Sequence, residues 1–151
     1  MKRLIPALFL AAILLAVPSG AQEAKAPAAG APGFATVDVL IDSKDEPLAA
    51  YQFEFAAETG DVKIVGVEGG EHPAFQGAPC YDPEALEHGR IVIAAFNTGR
   101  DLPKGRTRVA TLHLRIAGAA APRYAVKPVV TADAEGLAIP AEFSLVPGGR
   151  P

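Results

Sequence analysis

Tyr51-Gln52-Phe53-Glu54-Phe55 alternates aromatic and polar residues one for one. In a strand, successive side chains point to opposite faces, so this spacing sets three rings on one side and Gln52 and Glu54 on the other. A helix would scatter the rings around its circumference. The stretch therefore reads as a β-strand whose aromatic side, Tyr51 included, belongs to a core.

The same period of two extends in both directions. Upstream, Val37, Val39 and Ile41 alternate with Thr36, Asp38 and Asp42, and Ser43 to Pro47 supply a polar turn. Downstream, Val62 to Glu68 forms a third strand, and a change of phase between Ile64 and Val65 predicts a bulge near Gly66. Arg90 to Phe96 is apolar on both sides and reads as a central strand. Ala110, Leu112, Leu114 and Ile116 alternate with Thr111, His113 and Arg115. Pro128 lacks a backbone donor and so assigns Tyr124 to Thr131 to a sheet edge. Leu137 to Ile139 and Phe143 to Val146 close the pattern. Only Asp82-Pro83-Glu84-Ala85-Leu86-Glu87 suits a helix of one or two turns, with an Asp cap and Pro at the first helical position. These elements predict an all-β fold, a jelly-roll or immunoglobulin-like β-sandwich of about 7–9 strands.

The chain has 151 residues, enough for one domain. Lys2 and Arg3, the apolar run Leu4 to Val17 and the small residues Ser19-Gly20-Ala21 form a secretory signal pattern over 1–21. Residues 22–33 are rich in Ala, Pro and Gly and read as a flexible linker. The sandwich domain is expected over 34–151. Export to the periplasm or the exterior follows, with no membrane span left after cleavage, because the apolar run is short for a bilayer. Cleavage would remove Lys2 and Arg3 and no acid, taking the net charge from −3 to −5. That balance argues against a nucleic-acid partner. Cys80 is the only cysteine, so no internal disulfide can form and the apolar core must hold the fold.

Val37-Asp-Val-Leu-Ile-Asp, then Leu48-Ala-Ala-Tyr-Gln-Phe-Glu-Phe, resembles the early strands of cohesin domains. Gly89-Arg-Ile-Val-Ile-Ala-Ala-Phe, the stretch Gly105 to Ile116 and the ending Ala132-Asp-Ala-Glu-Gly-Leu-Ala-Ile are similar to later parts of that family. The resemblance implies a jelly-roll sandwich, related in fold to some carbohydrate-binding modules, that binds a protein partner. The best-known members bind dockerins. The chain departs from the cellulosomal pattern. The linker stands where the first family strand would be, there is one domain, and Ala50 and Gln52 stand where Asn and Asp are common. By this resemblance the Gln52 and Glu54 strand lies beside the Thr111, His113 and Arg115 strand on a recognition face. The expected partner-binding residues are therefore Gln52, Glu54, Thr111, His113 and Arg115. In a sandwich such a stripe is also the ordinary polar, solvated side of a sheet.

Catalysis is not expected. His72, Cys80, Asp82 and His88 share one long stretch, but no orienting acid or oxyanion motif accompanies them, and no pair has the close spacing of a structural zinc site. Asp133-Ala-Glu135-Gly136 hints at calcium but lacks the remaining oxygen ligands, and a solvated hairpin turn explains it. No cofactor is implied. A polysaccharide or other envelope polymer is the alternative ligand. Sugar faces stack on exposed rings, however, and the chain has no Trp, leaving Tyr81 and Tyr124 as candidates.

Overall fold

The computed structural model describes residues 32–148. Two antiparallel sheets of four strands each face one another as a β-sandwich. The strands are β1 (Gly33–Asp42), β2 (Ala50–Thr59), β3 (Asp61–Gly69), β4 (Cys80–Tyr81), β5 (Arg90–Phe96), β6 (Arg106–Ala117), β7 (Arg123–Ala132) and β8 (Glu142–Pro147). One sheet runs β3-β6-β1-β8 and the other β4-β5-β2-β7. Every strand pairs with the one that mirrors it in chain order: β1 with β8, β2 with β7, β3 with β6 and β4 with β5. The chain is thus one long hairpin rolled over itself.

Alternation sorts side chains as the sequence predicts. Phe53, Phe55, Ile91 and Ile93 from one sheet meet Val37, Val39, Ile64, Leu112 and Leu114 from the other, all buried. Phe143 meets Phe53 edge-on at 5.9 Å between ring centroids, sealing the β8 side. Pro128 does stand on an edge strand, β7. The bulge also forms where the phase changes, since the β3–β6 register shifts between Ile64 and Gly66.

Three local readings change. Asp82 to Glu87 makes no α-helix. Only Pro83–Ala85 forms a 3-10 turn, with the Asp82 carboxylate accepting from the Glu84 amide. A start signal without a following apolar stripe has nothing to pack a longer helix against. Leu137 to Ile139 is not a strand; Ala138 makes one isolated bridge to Ala132 beyond the Asp133 turn. Cys80 and Tyr81, within the long stretch from His72 to His88 to which the alternation assigns no strand, form the short strand β4. The expected signal peptide at 1–21 and most of the linker lie outside the described residues. No helix among the described residues is long and apolar enough to cross a membrane.

Candidate functional site

The expected five-residue face does not assemble. Gln52 and Glu54 are on β2, which pairs with β5 and β7. Thr111, His113 and Arg115 are on β6, which pairs with β1 and β3 in the other sheet. Both groups point away from the core, so they occupy opposite outer faces of the sandwich. Alternation tells which side of its own sheet a residue takes. It does not tell which sheet a strand joins, and that choice rests on distant pairings.

On the outer face of β3-β6-β1-β8, Thr111, Asp38, Arg108 and Arg115 are paired, while His113 Nε2 makes no hydrogen bond. Thr111, only 8% exposed, donates to Asp38 Oδ1 at 2.6 Å and accepts from Arg108 Nη1 at 2.8 Å. Arg108 also reaches the Gly69 carbonyl at 3.1 Å. Glu68 Oε1 lies 2.9 Å from His113 Nε2, although the angle is poor for a hydrogen bond. Arg115 bonds Glu87 at 3.0 Å, and Lys63 approaches the same oxygen at 3.9 Å. Phe34 and Val146 are the large apolar residues exposed on this side, at its margins.

The outer face of β4-β5-β2-β7 is different in kind. Register aligns Cys80, Ala94, Gln52 and Val130 in one row across the four strands. The next row holds Phe96, Ala50 and Ala132, and the row on the other side holds Val92, Glu54 and Lys127. Phe96 is 75% exposed, Val130 44% and Val92 43%. Val129, the residue at the register shift of β7, is exposed beside them. The small residues leave a shallow depression of about 360 Å³ bordered by Ala50, Gln52, Cys80, Ala94, Phe96 and Val130. The charged groups on this face lie toward one end, where Arg90 bonds Glu54 at 2.6 Å.

Sequence reasoning missed Val92, Phe96 and Val130 as surface. A strand apolar on both sides needs cover on both sides. The described residues offer no α-helix to cover a second face, so among them one side of β5 stays open to solvent or a partner. That combination was the available signal.

The candidates for chemistry stay apart. Cys80 is exposed on β4 and makes no hydrogen bond to either His72 or His88 among the described residues. His72 Nδ1 accepts from the Ala74 amide at 3.2 Å and so caps the 3-10 turn Pro73–Phe75. Asp133 Oδ1 accepts from the amides of Glu135 and Leu137, which makes the acidic stretch a closed turn around Gly136. No group of three or more His, Cys, Asp or Glu side chains capable of holding a metal ion occurs among the described residues. Tyr81 and Tyr124 pack against the core, Tyr124 at 5.5 Å from the Phe55 ring, and neither offers a flat platform.

Searches of protein-family models, curated proteins and solved structures return no match to the chain.

Proposed function

We propose that this chain is an exported, non-catalytic docking module, a cohesin-like jelly roll that binds a protein partner through the outer face of β4-β5-β2-β7. The mirror-order strand pairing supports the jelly-roll reading. One observation carries the docking reading. Val92, Phe96 and Val130 stand together on a nearly flat floor of Ala50, Ala94, Cys80 and Gln52, while on the opposite face Thr111 pairs with Asp38 and Arg115 with Glu87.

Exposed apolar area costs roughly 25 cal/mol per Å², and clustered exposure of this kind marks interaction surfaces. An apolar centre with an ion pair at its rim, Glu54 with Arg90, matches the anatomy of protein interfaces. A sugar ligand fits less well, because among the described residues Phe96 is the one exposed ring on this face.

The test compares Phe96→Glu with Arg115→Glu in affinity capture from envelope extracts of the source cells. Phe96→Glu should lose the captured protein, and Arg115→Glu, on the opposite face, should keep it. Equal capture by both variants would overturn the face assignment. Capture of a glycan in place of any protein would overturn the partner class.

A further inference from the structure

We infer that an extended, Lys- or Arg-bearing segment of the partner polypeptide adds as a short strand to β5, in the lane that β4 leaves open. This deepens the docking reading and rests on it for the partner. Strand β4 pairs with β5 only at Cys80↔Ala94 and Tyr81↔Ile93. Pro83 then ends it: the ring fixes φ and removes a donor, and the chain continues as the 3-10 turn Pro83–Ala85, which borders β5 without pairing to it as a strand. From Arg90 to Val92, β5 therefore has no strand beside it on that side among the described residues.

Space accompanies the missing strand. A groove of about 510 Å³ runs here, bordered by Cys80, Tyr81, Asp82, Ala85, Arg90 and Val92. An open edge beside such a groove offers main-chain hydrogen bonding to an incoming extended chain. Val92 and Cys80 give it apolar contact on the outer side.

Charge selects the occupant. Arg90 is already neutralised by Glu54 at 2.6 Å. Asp82 borders the groove and Glu84 follows in the same turn, and neither has a cationic partner among the described residues. The uncompensated charge is negative, which favours a basic side chain on the added strand.

The test uses the peptide acetyl-Thr-Val-Lys-Val-Thr-Val-amide and two N-methylated forms, one methylated at odd and one at even positions. Binding to the purified isotope-labelled protein is followed by NMR at the Arg90, Ile91 and Val92 amides. Strand addition predicts that the parent peptide shifts these signals. One methylated form should bind at least tenfold more weakly and the other nearly as well, since alternate amides face β5. The double variant Asp82→Asn, Glu84→Gln keeps the turn's cap and should weaken the parent severalfold. No shift at these amides at millimolar peptide, or equal binding of both methylated forms, overturns the inference. Concentration-dependent shifts of the same amides without peptide would give the lane to a second copy of the chain and also overturn it. Phe96 lies outside the groove, so failure is separable: peptide addition without loss of partner in Phe96→Glu sinks the face reading alone, and the converse sinks strand addition alone.

Discussion

The Tyr51 hydroxyl donates a 3.0 Å hydrogen bond to the Val109 carbonyl, tying β2 in one sheet to β6 in the other across the core. The β1–β6 register shifts here: Val39 faces Ala110, Leu40 faces Arg108, and Val109 is skipped. A bulge leaves its extra residue out of the ladder, and a buried carbonyl then needs another partner. Tyr51, 2% exposed and packed edge-on against Phe75 at 5.1 Å, supplies it. Tyr51→Phe should cost about 1–3 kcal/mol, the penalty of a buried acceptor left unsatisfied, measured by urea denaturation.

The same burial sets an alkaline limit. Burial foremost, and the Cys80 thiol second, push the Tyr51 phenol well above its usual value. The unfolded phenol ionises near pH 10, so the protonated folded form contributes stability fully below about pH 10 and loses it as pH rises further. Stability should decline above that pH, and less steeply in Tyr51→Phe. Burial of Tyr124 raises its phenol too and leaves the variant a residual slope. Identical alkaline slopes would contradict the burial of this hydroxyl.

Phe53 is fully buried between the sheets. Phe53→Ala should cost about 3–5 kcal/mol in the same denaturation experiment, as for other large truncations in a core. A cost near zero would mean a one-residue register slip on β2.

Thr111 offers a sharper contrast. As one residue of an open binding face, it would tolerate Thr111→Val within about ±0.5 kcal/mol. Held between Asp38 and Arg108, it should instead lose about 1–3 kcal/mol, because Asp38 Oδ1 loses the Thr111 donor and Arg108 loses an acceptor. Thermal melts of the variant separate the two.

The contrast shows what the sequence carries. Rings at Tyr51, Phe53 and Phe55 and the phase change at Ile64 are local patterns, and the strand, its buried side and the bulge follow from them. Sheet membership is not local. Whether β6 lies beside β2 or β1 depends on pairings such as Val37↔Leu112, between residues far apart in the chain. Strand β4 escaped because two residues carry no period. The apolar outer side of β5 was visible in Val92 and Phe96 but reads as a buried strand until cover is sought and not found.

Cys80 is exposed on β4. Its thiol should therefore react with a colorimetric disulfide reagent in the native protein as fast as after unfolding, within a few-fold. Reductant should leave the melting temperature unchanged. A thiol silent until the protein unfolds would contradict its place on the open face.

The docking face is tested most directly by hydroxyl-radical labelling of the protein alone and with its captured partner. Phe96 and Phe34 are both exposed, on opposite faces of the sandwich, so both should label when the protein is free. A partner on β4-β5-β2-β7 predicts strong protection of Phe96 and Cys80, with Phe34 labelled at its free rate. Protection of Phe34 with Phe96 unchanged would place the partner on the other sheet and contradict the proposal.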